Sequence, residues 1–185
     1  MTGARDRLRE QVLVLRCQAG DAAALAALVE RHDRRLRHYV RHMLSNTGAA
    51  ADVVQDVWCG VFRTLPRLRD PHAFVPWLYR VARNRVQLER RRRRLPVVGG
   101  AVESLPAPGD RARSSAVDTA AVRGALDRLC SDHREVLVLR FLHEMSYQQI
   151  AAVIGRPIGT VRSRLHHAKT SLRQTMSPGE SELET

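Results

Sequence analysis

The sequence predicts an all-α protein made of two small helical domains joined by a flexible linker, the second domain containing a helix-turn-helix. Apolar residues recur at three- and four-residue spacing on both sides of that linker, and no segment alternates convincingly as a strand would. The stretch 95–118, LPVVGGAVESLPAPGDRARSSAVD, is rich in Gly, Pro, Ser and Ala and keeps no helical period, which is linker composition. Near the end, SYQQIAAVIGRPIGTVRSRLHHAKTSLR reads as two short helices around a tight turn. The expected domains are 1–94 and 119–176, followed by a disordered acidic tail over 177–185.

The first residues, MTGARDRLREQVLVLR, hold a short apolar run broken by charge. They lack a signal-peptide core, and no later run is long enough to span a bilayer, so no membrane insertion is expected. The first of three main helices is expected from about Asp21, an N-cap after Gly20, to Leu44. Leu25, Leu28, Val29, Leu36, Tyr39, Val40 and Met43 keep its apolar face. The second runs from about Ala49 to Leu65, with Val54, Val57, Trp58, Val61, Phe62 and Leu65 as its stripe. Asp52, Gln55 and Asp56 stand on the other face near its start.

The third helix starts after Asp70-Pro71, with Pro at an early helical position. Phe74, Trp77, Leu78, Val81, Ala82 and Val86 define its apolar side, and it ends in Glu89 and the run Arg90–Arg94. Basic residues at a helix C-terminus suit its dipole. Five in a row repel one another unless a polyanion neutralises them. Upstream, Trp77, Tyr79, Arg80, Arg83, Asn84 and Arg85 mix groups that hold phosphates with groups that stack on or hydrogen-bond to exposed bases. Phe74 and Trp77 lie on the apolar stripe and are expected in the core; Tyr79, Arg80 and Asn84 lie off its centre and are the better base contacts.

After the linker, one short helix is expected over about 120–130, with Val122, Leu126 and Leu129 inward. Another spans about 132–142, with Val136, Leu137, Leu139 and Phe141 largely apolar. Ser146 and Gln149 have the spacing of a capping box, and Ile150, Ala151 and Ile154 give the next helix one apolar face. Gly155-Arg156-Pro157 stops it. The last helix, from about Ile158, buries Val161, Leu165, Ala168 and Leu172. It presents Arg162, Ser163, Arg164, His166, His167 and Lys169, the arrangement by which a helix-turn-helix meets the major groove.

Composition fits a nucleic-acid partner. The 185 residues carry a formal net charge of +12, which favours a polyanion: nucleic acid or an anionic membrane surface. Cys17, Cys59 and Cys130 are scattered and form no C-x-x-C, which argues against a disulfide scaffold and against a zinc site. Cys59 and Cys130 sit among apolar neighbours and are expected as small core residues, in a reducing cytoplasm.

Taken in order, ADVVQDVWCGVFRTL, then AFVPWLYRVARN with its arginine run, then the linker, then HREVLVLRFLHEMSYQQIAAVIGRPIGTVRSRLHHAKTSLR resembles a bacterial RNA polymerase sigma factor of the small, two-domain, extracytoplasmic-function (ECF) group. The resemblance runs from about Ala23 to Arg173. It implies that Asp52, Gln55 and Asp56 dock on the clamp helices of the largest subunit of core polymerase. It implies that the segment from Arg67 to Asn84, with Arg69, Trp77, Tyr79, Arg80 and Arg83, and with Arg90 and Arg91 beyond it, opens the minus-ten promoter element. The final helix, with Thr160, Arg162, Ser163, Arg164, His166, His167 and Lys169, then corresponds to the reader of the minus-thirty-five element. Promoter DNA, the flap of the second-largest subunit and an anti-sigma factor complete the implied partners, with no cofactor and no metal. The chain departs from the common pattern at Gln87, where many members carry an acidic residue.

Two other classes fit part of the pattern. A stand-alone helix-turn-helix regulator shares Ser146–Arg173 but leaves the first three helices and the arginine run without a use. A metal-dependent nuclease could use Asp52 and Asp56, one turn apart, yet no second carboxylate cluster completes a two-metal site. His32, His38 and His42 are dispersed on a basic helix and are expected at the surface.

Overall fold

A computed structural model of the chain describes residues 4–44, 48–94 and 116–176. Among them lie α1 (Ala4–Gln18), α2 (Ala22–Met43), α3 (Gly48–Thr64), α4 (Phe74–Arg94), α5 (Ala116–Arg128), α6 (Ser131–Leu137), α7 (Tyr147–Ile154) and α8 (Ile158–Met176), with no strand among the described residues. α1–α4 build one compact unit, and the helices after the linker centre on a second. The expected linker and tail lie outside the described residues, except that α5 already begins at Ala116.

In the first unit, α2 starts where expected. Asp21 accepts hydrogen bonds from the Ala23 and Ala24 backbone N–H groups and pairs with Arg16 at 2.6 Å. Leu28, Leu36, Tyr39 and Val40 are fully buried, and each such leucine contributes about 1.5–3 kcal/mol by leaving water. α2 packs against α1, α3 and α4, and α3 against α4. Gly60 marks the close approach of α3 to α4: a Cβ there would lie 3.6 Å from Val81.

α1 is an element beyond the three helices expected before the linker. It buries Val14 against the unit, and it is tied down by polar contacts. The Gln18 amide donates to the carbonyls of Leu65 (3.0 Å) and Leu68 (2.7 Å), and the Gln11 amide meets His72 at 2.6 Å. These contacts hold two 3-10 turns, Leu65–Arg67 and Pro71–Ala73, that lead from α3 into α4. Burial raises the pKa of the half-buried Cys17, the nearby Asp21 charge adding to it, and the thiol stays protonated.

His32 corrects the expectation of a surface histidine. It is only 7% exposed, lies 2.8 Å from a Glu10 carboxylate oxygen and sets its ring edge-on to Phe74 at 5.4 Å. Its place explains this: it stands four residues from both Leu28 and Leu36, on the buried stripe. Trp58, from α3, donates its indole N–H to Asp33 of α2 at 3.0 Å, which satisfies the one polar atom of a mostly buried ring.

In the second unit, α6 packs on α8, and α5 on α8. Val136, Leu137, Val138 and Leu139 are all buried, so this helix is wrapped on every side. It does not run regularly to Leu142 as expected: Val138–Leu142 is a π-helical turn, and Phe141 is turned outward. Arg134 is buried and closes the α5–α6 corner, pairing with Asp127 at 3.2 Å and donating to the Asp127 and Leu129 carbonyls. Val122, expected inward, is exposed, as is Cys130; Cys59 is half-buried. α7 begins with the complete Ser146–Gln149 capping box and ends at Gly155 in the left-handed conformation, φ 66°.

Candidate functional site

Three helices present polar faces opposite their buried ones. On α3, Asp52, Gln55 and Asp56 are exposed, while Val53, Val54, Val57, Trp58 and Val61 are buried behind them. Phe62, expected inward, is exposed instead and stacks on Trp58, with ring centroids 6.2 Å apart. It therefore adds an aromatic surface about two to three turns beyond the acidic start of the same helix. The sequence signal was available: Phe62 follows Cys59 and Gln55 at helical spacing, on the polar side.

On α4, Phe74, Leu78, Ala82 and Val86 are buried. Arg80, Asn84, Gln87 and Arg91 follow one another at four, three and four residues, so they share the outer side. Arg80, Asn84 and Arg91 are exposed, as are Arg67 and Arg69 in the connection before the helix. Trp77 is half-buried and tilts against Phe74. Two expected contacts are corrected. Tyr79 is 3% exposed, sets its ring edge-on to Tyr39 at 5.2 Å and is pushed to a raised pKa by burial, with Arg35 opposing; it is a neutral core phenol that no base reaches in this conformation. Arg90 donates to the Met43 carbonyl and so secures the end of α2. Arg83 is half-buried, against Gln87.

On α8, Val161, Leu165 and Ala168 are buried, while Arg162, Ser163, His166, His167 and Lys169 are exposed and Thr160 is intermediate. Arg162, His166 and Lys169 fall on one stripe, and Ser163 and His167 on the next. The Ser163 hydroxyl donates to the Thr160 carbonyl, and Lys169 lies 5.3 Å over the Phe141 ring. Arg164 corrects the expected reading set: it pairs with Asp132 of α6 at 2.9 Å and so braces the unit internally. The Arg134 corner escaped sequence reasoning because its partner lies on another helix.

No group of three or more potential metal ligands occurs among the described residues, and no described helix is long and apolar enough to cross a membrane.

An exposed acidic helix face, an arginine-bearing helix stripe and a capped helix-turn-helix follow one another in that chain order. Residues 28–95 match the family model of Sigma-70 region 2, and residues 119–172 that of Sigma-70, region 4, so the chain belongs to the sigma-70 family of RNA polymerase sigma factors. Its place within that family is the ECF group. It is 32% identical to the ECF RNA polymerase sigma-E factor of Escherichia coli K12, over 94% of this chain and 97% of that one. It is 30% identical to the RNA polymerase sigma-H factor of Pseudomonas aeruginosa PAO1, over 92% and 95%. In structure it is similar to CnrH, solved in complex with the cytosolic domain of CnrY: TM-score 0.72, 25% identity, 93% of this chain and 99% of that chain. The sigma factor RpoE of Bartonella quintana, solved with the anti-sigma factor NepR, shares the fold at TM-score 0.68 and 24% identity, over 82% and 96%.

Proposed function

We propose that this sigma factor docks on core polymerase through the outer face of α3, opens the minus-ten element with the connection 65–73 and the outer stripe of α4, and reads the minus-thirty-five element with α8. The observation that carries this is the segregation on each helix: candidate side chains stand outside, directly opposite a fully buried stripe. On α3 the roles fall to Asp52, Gln55 and Asp56; on the melting surface to Arg67, Arg69, Arg80, Asn84 and Arg91; on α8 to Arg162, Ser163, His166, His167 and Lys169. Phosphate contacts by the later arginines and Lys169 supply affinity, while Arg162, early in α8, is placed for a base edge.

An anti-sigma protein is the further partner we infer. The support is membership of the family and the capture of CnrH, a structural relative, with a partner's cytosolic domain.

Run-off transcription with core polymerase on a pool of random promoters tests the reading as a whole. Asp52→Lys with Asp56→Lys should weaken binding to core by about tenfold or more while leaving the unfolding temperature unchanged, since both side chains are exposed. Wild-type affinity of that variant in a pull-down titration would remove α3 from the docking surface.

A further inference from the structure

α1 carries an apolar stripe that the described residues of its unit leave exposed. Leu8, Val12 and Leu15 are 62%, 46% and 54% exposed, and they stand four and three residues apart. The helix is not free to roll and bury them. Its other side is fixed by the fully buried Val14, by Gln18 on two carbonyls and by Gln11 on His72.

The four-three spacing is that of the narrow seam of a coiled coil. Val12 takes the a position and Leu8 and Leu15 the d positions, the β-branched and leucine pattern that favours pairing of two helices. Arg9 and Arg16 follow the two leucines at e, where charge selects the partner, and Arg5, seven residues before Val12, stands at the preceding a position and closes the apolar seam with a charge. All three are exposed. Arg16 is held by Asp21, but no ion pair engages Arg5 or Arg9 among the described residues. The acidic residues of α1 do not offset this border, because Asp6 faces Arg31 and Glu10 faces Arg31 and His32 on α2.

We propose that the outer face of α1 docks an acidic amphipathic helix of a partner protein, seated by Leu8, Val12 and Leu15 and selected by Arg5 and Arg9. The surface is separate from the promoter and polymerase surfaces proposed above. A second copy of this chain fits poorly, since it would bring two arginine-bordered seams together. A membrane fits poorly too: an interfacial helix buries a broad apolar face, and this is a single stripe. DNA offers nothing to three aliphatic side chains in a row.

The test is fluorescence anisotropy of the full chain with a short labelled heptad peptide carrying Val and Leu in its seam and Glu on its flanks. The controls are a scrambled peptide of the same composition and a heptad peptide flanked by Lys. The Glu-flanked heptad should bind roughly tenfold or more tightly than the scrambled one. Leu8→Ser with Val12→Ser and Leu15→Ser should erase that difference without lowering the unfolding temperature. Arg5→Glu with Arg9→Glu, which leaves Leu8, Val12 and Leu15 in place, should transfer preference to the Lys-flanked peptide. Equal binding of heptad and scrambled peptides, or a preference untouched by both variants, overturns the proposal. So does a stripe-dependent affinity found only for phosphatidylglycerol vesicles, or a stripe-dependent self-association.

Discussion

Arg162 and Arg164 stand two positions apart on α8, and their surroundings assign them different tasks. Arg162 is exposed on the outer stripe; Arg164 is paired with Asp132. Arg162→Ala should relax base preference at one or two positions of the upstream promoter element, a loss of about 1–3 kcal/mol of discrimination. Arg164→Ala should leave that preference unchanged and cost under about 1 kcal/mol of stability, as a partly exposed ion pair does. Transcription from a library randomised in the upstream element, with urea unfolding beside it, separates the two. Asp21 gives a pH-dependent counterpart. Its carboxyl is held below the ordinary carboxylate pKa, first by the Ala24 backbone N–H and next by the Arg16 side chain. A depressed folded-state pKa means stabilisation that is complete above the ordinary carboxylate range and is lost as pH falls through the depressed value. Asp21→Asn keeps a capping oxygen but removes the titration, so its unfolding temperature should decline less steeply on acidification than the wild type's. Parallel curves would exclude Asp21 as a source of the acid limb.

Among the elements, the helix-turn-helix is held by its punctuation. α7 needs the Ser146–Gln149 box to start and a left-handed residue to stop, and Gly155 at φ 66° supplies the latter. Space is open around it, so Gly155→Ala tests conformation alone. It should cost about 1–2 kcal/mol, read as a lower unfolding midpoint, with upstream-element binding restored at lower temperature. This turn was legible in the sequence because Gly, Pro, Ser and Gln act locally. α1 was not, and the reason is physical. Leu8, Val12 and Leu15 keep a four-three period on the side that looks outward, while the fully buried Val14 lies off it, so the period points away from the core. The π-helical turn at Val138–Leu142 was hidden in a different way, since four buried residues in a row, Val136–Leu139, give no phase to read. Within the site, periodicity set Asp52, Gln55 and Asp56 of α3 and Arg162, Ser163, His166, His167 and Lys169 of α8 apart from the buried stripes, but it put Phe62 inside and Arg164 among the reading side chains. It misplaced Tyr79, whose burial depends on a ring from another helix, Tyr39, whereas His32 stands on the Leu28–Leu36 stripe and was legible from its spacing.

At the scale of the whole molecule, the two family-matched segments begin at residues 28 and 119, so α1 lies wholly before the first of them. The fold does not respect that border. A fragment cut to residues 28–95 begins inside α2 and loses the Asp21 cap, the Val14 plug and the Gln18 hold on Leu65 and Leu68. It also strips Glu10 from His32, which leaves a buried imidazole without the carboxylate beside it. Such a fragment should unfold at a lower urea concentration than one spanning 4–94, and its amides around 65–73 should exchange fastest of all. The boundary of the matched segment is therefore narrower than the boundary drawn by mechanics. The arginines proposed to meet the opening promoter follow a connection pinned by a helix that lies before the first matched segment.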